Sequence, residues 1–321
     1  MRKSQFIFVL MLSTAFTTMA RADGTSSYEN CATAVGASNC VQIGTSGTYY
    51  ALSGDEGNQT MTIYGTKGSE STAATVPNKA FSGKSMSTFP GGVTSLKTSG
   101  NVDIGPGAFI KATGLKSIDL TGVQTIGMDA FQGATGLTSI DLTGVQTIES
   151  AAFSGATGLT SVDLTGVQTI KAYAFEGATK LTSVDLTGVQ TIGTQAFKGA
   201  TGLTSIVISD SLLDSNGNIL GYTQRNGVYT GINPYAFNGS GLNTIYCPAG
   251  MTCGNSFEGL SGTPKVIPYS IENGQIKAGG KTYASLNDLA SGNYIPKRIY
   301  TIDEAEKVSK KTGNTFKLRY K

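Results

Sequence analysis

Phe109, Phe131, Phe153, Phe175 and Phe197 stand 22 residues apart, and Ile104, Ile126, Ile148, Ile170 and Ile192 keep the same interval. From Leu137 the text reads LTSIDLTGVQTIESAAFSGATG; it returns almost unchanged from Leu159 and again from Leu181. A fixed period of this length specifies stacked repeats, because one such unit cannot bury its apolar face alone while neighbouring copies share a continuous core. The period also governs how composition is read. Many of the 43 glycines recur at fixed phases, as at Gly122, Gly144, Gly166 and Gly188, where a turn needs them.

Each unit divides by chemistry. LTSIDL is a strand with Leu137, Ile140 and Leu142 inward, and Val145, Ile148, Ala152 and Phe153 complete the core. Strand alternation places Ser117, Ser139, Ser161 and Ser183 on the outward face, with Asp119, Asp141, Asp163 and Asp185. The phenylalanines share phase with the core isoleucines and form a buried spine.

The pattern L-x-x-I-x-L…V-x-x-I-x-x-x-A-F-x-G resembles the leucine-rich repeats of the BspA or Treponema pallidum type over about residues 76–260. The resemblance implies a mainly β, right-handed leucine-rich-repeat solenoid of an exported bacterial protein, with adhesion or host and neighbour interaction as its role. Two positions depart from that family's habit. Thr143 and Gly144 stand where a proline usually follows the strand, and Ala156 and Thr157 where a cysteine or asparagine often follows the phenylalanine.

The ends have other characters. Arg2 and Lys3, the apolar run FIFVLML from Phe6, and Ala20-Arg21-Ala22 read as a signal peptide over 1–22, cleaved near Ala22. The stretch is too short and too polar to span a bilayer, and no later apolar run forms a transmembrane segment in the mature chain. A secreted, cell-surface or periplasmic destination follows. Residues 23–75 form an N-terminal cap, with strands at Thr48–Leu52 and Met61–Tyr64 and a polar loop over 68–72. The solenoid occupies 76–267. An insertion over about 211–231 separates Ala196-Phe197 from Ala236-Phe237, and its Asn-Gly pairs at 216 and 226 suggest hairpin turns.

Residues 268–321 read as a small separate α+β module. It opens with an Asn273-Gly274 hairpin and continues through a strand at 298–300, a helix from Asp303 to Lys310 and a strand at 315–320. From Ile295 on, this module carries eight basic and three acidic residues. The four cysteines are even in number in an exported chain, so Cys31 with Cys40 and Cys247 with Cys253 are the local pairings expected to staple the two ends.

Several functions are excluded. The formal charge of +3 arises from Arg2, Lys3 and Arg21, so the mature chain is neutral and offers no basis for nucleic-acid binding. With no histidine, Ser-His-Asp and Cys-His machinery and histidine-ligated metal sites are absent. No cofactor or metal is expected.

Three readings compete for the aspartate row. It is a solvated acidic stripe, since neighbours ~4.8 Å apart repel by only ~1 kcal/mol in water. Or it attracts a cationic or hydroxyl-rich protein or glycan ligand. Or it is a carboxylate pair of a carbohydrate-active or cation-dependent enzyme, which needs one acid and one ionised partner that identical surroundings cannot provide. The sequence favours a non-enzymatic binding protein, with that enzyme and a structural envelope component as alternatives.

Overall fold

The computed structural model describes residues 40–43, 48–55, 58–64, 74–76, 80–81, 92–100, 102–225, 228–251, 253 and 257–295. The signal segment 1–22, Cys31, the loop 68–72, the Asn226-Gly227 turn and the elements expected over 298–300, 303–310 and 315–320 lie outside them.

The chain is a β-solenoid. Each unit contributes a front strand of three residues, such as Ser139–Asp141, and a back strand of two, such as Thr147–Ile148. The back strand is an addition to the single strand per unit that the sequence pattern specifies. Both kinds pair in parallel with their equivalents 22 residues away, Ile140 with Ile118 and Val162, and Ile148 with Ile126 and Ile170. A third row of bonds runs along the irregular arc between units, where the N–H groups of Ala151, Phe153 and Gly155 donate to the carbonyls of Ala172, Ala174 and Glu176. Units are therefore tied to their neighbours along as many as three lines, and the core is what those lines enclose.

That core is continuous. Leu137, Ile140, Leu142, Val145, Ile148, Ala152, Phe153 and Ala156 are buried, as are their counterparts in the other units. Phe81, Phe109, Phe131, Phe153, Phe175, Phe197 and Phe237 stack in one column with ring centroids 5.0 to 5.4 Å apart. The spacing suits offset aromatic packing, and the column includes both irregular units. Phe237 reaches it despite the long insertion before it.

The departure from proline after the strand has a structural answer. Val145 N–H donates to Leu142 O at 2.9 Å, closing a turn with Thr143 and Gly144 at its centre. Gly144 has φ +93, the left-handed value that the third residue of a type II turn requires.

The ends extend the same sheets. Thr48–Ser53 and Gln59–Tyr64, which contain the two strands expected in the cap, pair antiparallel, and Gln59–Tyr64 pairs in parallel with Val93–Ser99, so the cap continues the front sheet. In the insertion, Leu213 bridges to Ile219 antiparallel around Gly217, and Thr223–Arg225 pairs antiparallel with Val228–Ile232, which joins the back sheet beside Thr191–Ile192. Cys247 and Cys253 form a disulfide, and Cys253 N–H donates to Gly217 O, fastening the insertion to the C-terminal end of the array. Cys40 is disulfide-bonded as well.

The boundary expected at residue 268 falls inside the strand Lys265–Glu272, which pairs in parallel with Thr244–Pro248. From Lys265 the chain thus adds to the solenoid sheet. Asn273 and Gly274, both at positive φ, then turn it into the antiparallel strand Gln275–Ala278. Lys281–Tyr283 follows, then helix α1 (Leu286–Ala290) and Tyr294–Ile295. Ser285 caps α1 by accepting the Asp288 N–H.

Candidate functional site

The outward residues of the front strands lie in register. Ser117, Ser139 and Ser161 form one row, and Asp119, Asp141 and Asp163 another. Strand pairing extends both rows toward the N-terminus through Ser95 and Lys97, so a lysine stands at the head of the carboxylate row. The candidate residues named from sequence do not include these two, although both lie 22 positions before Ser117 and Asp119.

Each aspartate has a local structural task. Its Oδ1 accepts the backbone N–H two residues on, from Thr121, Thr143, Thr165 and Thr187, at 2.9 to 3.2 Å. Thr121 and Thr187 add their hydroxyls at 2.7 and 2.6 Å. These are Asx turns, in which a short side chain replaces a backbone acceptor at the start of a turn. They lead into the Thr-Gly corner described above. The second carboxylate oxygen is not needed for the turn.

The row of four expected from sequence is interrupted. Ser161–Asp163 pairs with Ser139–Asp141, and Ser183–Asp185 pairs with Ser205–Val207, but the front sheet divides between Asp163 and Asp185. The back strands of the same units, Thr169–Ile170 and Thr191–Ile192, stay paired. Beyond the division the outward face is covered. Val207, the register partner of Asp185, is fully buried in a second cluster with Tyr269, Ile276, Ala278, Tyr283, Leu289 and Ala290. Helix α1 packs against Ser183–Asp185 and Ser205–Val207 as well as the hairpin strands. Ser205 Oγ donates to Ala290 O at 2.8 Å, and Ser183 Oγ lies 3.4 Å from Ser291 Oγ.

The surroundings of the aspartates are consequently unequal, contrary to the expectation from their identical sequences. Asp141 and Asp163 are exposed, Asp119 and Asp185 half-buried. The Asp141 carboxyl is held below its ordinary pKa by the hydroxyl and N–H of Thr143. The Asp185 carboxyl is pushed up by desolvation, to which Asp163 adds repulsion, against the opposing hydrogen bonds of Thr187. Tyr269, whose hydroxyl donates to Ile208 O, is raised to about 12 by burial and by Asp210 and Asp185.

The arc carries the opposite arrangement of charge. Lys171 meets Glu149 at 2.6 Å and Lys198 meets Glu176 at 3.1 Å, each pair joining equivalent positions of adjacent units. Among the described residues no group of three or more Cys, Asp or Glu side chains is placed to hold a metal ion. Nor is any helix among them long and apolar enough to cross a membrane.

Fold and site together define a repeat scaffold that buries its recurring apolar residues and presents one hydroxyl and carboxylate face. Residues 102–226 match the BspA type leucine rich repeat region in six copies.

Solved structures similar to this chain include a leucine-rich repeat protein of T. pallidum, 22% identical over 68% of this chain and 82% of its own, with a TM-score of 0.37. A leucine-rich cell surface protein of Faecalibacterium prausnitzii is 18% identical over 71% and 77%, with a TM-score of 0.34. The pneumococcal vaccine antigen PcpA is 17% identical over 71% and 70%, with a TM-score of 0.37. A comparison with curated proteins gives no match.

Proposed function

We propose that this chain is an exported, non-enzymatic binding protein whose contact surface is the outward face of the front sheet, from Ser95 and Lys97 to Ser161 and Asp163. The observation that carries the reading is the division of labour within each unit. The repeated apolar residues are consumed by the core, whereas a serine and one oxygen of an aspartate are offered outward, in register, on successive strands. Surfaces of repeat proteins recognise extended partners in this way, through many equivalent small contacts. A cationic protein segment or a hydroxyl-rich glycan at the surface of a neighbouring cell has the complementary chemistry. Export rests on the signal peptide, with a mature N-terminus at Asp23 that intact mass measures directly.

The test is to change Asp119, Asp141, Asp163 and Asp185 together to asparagine. Asparagine retains an Oδ1 for each Asx turn, so the fold survives while the charge is removed. Adhesion to intact host or neighbour cells, measured across a salt series, should collapse and lose its salt dependence. If the variant adheres as the wild type does, the row is bystander surface and the insertion at 211–231 becomes the next surface to alter.

A further inference from the structure

The division of the front sheet coincides with the edge of the C-terminal segment. On one side stand the open strands ending at Ser161–Asp163. On the other, Ser183–Asp185 and Ser205–Val207 share a sheet with Lys265–Glu272 and the hairpin, and lie under α1. The core of this covering is the small cluster around Leu289, Tyr269 and Val207, and its polar contacts to the array strands include the two from Ser205 and Ser183. A short helix over a small cluster has the features of a region that opens locally, well below the free energy of global unfolding.

Asp185 lies at the rim of this interface. The neighbouring strand brings Asp163 and the next strand apolar Val207. The C-terminal hairpin brings Tyr269, with Asp210 beyond it. Helix α1 carries a single charge, Asp288, in its first turn, where it accepts the Ser285 hydroxyl. The hairpin lysines are engaged elsewhere, Lys277 with Thr282 and Lys281 over the Tyr294 ring. Among the described residues no ion pair reaches Asp185.

We propose that α1 is a latch on the outward face and that protonation of Asp185 sets its grip: closed in acid, loosened toward neutral pH to uncover Ser183, Asp185, Ser205 and Val207. An ionised carboxylate loses hydration when the latch closes and faces Asp163 without a compensating cation. The neutral acid loses less and keeps its bonds from Thr187. Burial raises the carboxyl from its ordinary value of 3.8, so the acid form favours closure. That gain is complete below 3.8 and is lost as pH rises through the raised value. The latch would control how far the binding face extends toward the C-terminus. It requires no ligand, so it can fail while the binding proposal stands, and the reverse.

Hydrogen exchange of the full chain reads the latch directly. Leu289 N–H bonds to Ser285 O and Ser291 N–H to Asn287 O, so their protection reports whether α1 is formed and seated. After correction for intrinsic exchange, raising the pH from ~4 to ~7 should lower that protection by about 3- to 10-fold in the wild type, a carboxyl-sized linkage effect. In Asp185→Asn it should stay at the acid level throughout, and in Asp163→Asn the loss should shrink. The Thr187 N–H can still donate to the amide oxygen of the Asp185→Asn variant, so its protection verifies that the turn is intact. Protection that does not change with pH in the wild type, or a pH response that survives in Asp185→Asn, would overturn the proposal.

Discussion

The unit around Asp141 and the unit around Asp185 are written almost identically, LTSIDLTGVQTI against LTSVDLTGVQTI, yet their carboxyl groups are displaced in opposite directions. Inside, the two units match. Phe153 and Phe197 are both fully buried and each stacks on two neighbours at 5.3 or 5.4 Å. Outside, Asp141 meets water and the next unit's Asp163, whereas Asp185 stands beside buried Val207 and the seated helix. A repeat therefore dictates its interior through its own text, because its neighbours are copies. Its outward chemistry depends on whatever else the chain lays over that face.

The largest effects should leave the comparison intact. Phe153→Ala and Phe197→Ala should each cost about 3–5 kcal/mol in a denaturant melt, as large-to-small aromatic changes in cores do. Near-equal losses are expected, because both rings occupy the same stacked environment. A large inequality would show that the interiors differ as the exteriors do.

Smaller changes at the aspartates should separate the two units. Asp141→Ala removes the acceptor for Thr143, a net loss of about 0.5–1 kcal/mol for an exposed hydrogen bond. Asp185→Ala loses the equivalent bond from Thr187 but also relieves a desolvated charge, so thermal unfolding at neutral pH should register a smaller loss or a gain. Asp141→Asn, with its Oδ1 retained, should be near neutral.

A small effect is also expected on the arc. Lys171→Ala breaks the ion pair with Glu149, in which both groups keep solvent contact, and should change stability by less than about 1 kcal/mol, fading in high salt.

How much of this was legible differs from level to level, for physical reasons. The phenylalanine column, the inward leucines and the Gly144 turn follow from periodicity, because each is decided by contacts between copies of one text. The Asn273-Gly274 hairpin is a local backbone preference and equally readable. The two-residue back strands carry no sequence signal, because Thr147–Ile148 is too short for alternation to register. The Glu149–Lys171 pair becomes visible only when units are compared position by position, across the stacking direction. Helix α1 has a readable start in Ser285 and Asp288, but its five residues hold too little periodicity to claim a helix. Its seat on the front strands is a tertiary fact that no local pattern contains. That seat removed Ser183 and Asp185 from the open row predicted for all eight residues.

The central claim is that identical text acquires different chemistry under the C-terminal segment, and side-chain carboxyl NMR across an acid titration measures it directly. Asp141 should titrate below its ordinary value of 3.8, since Thr143 favours the ionised form; its contribution to stability is present above that value and is lost as pH falls through the lowered one. Asp185 should titrate above 3.8, with the opposite dependence. Two carboxyl groups that titrate together would contradict the account.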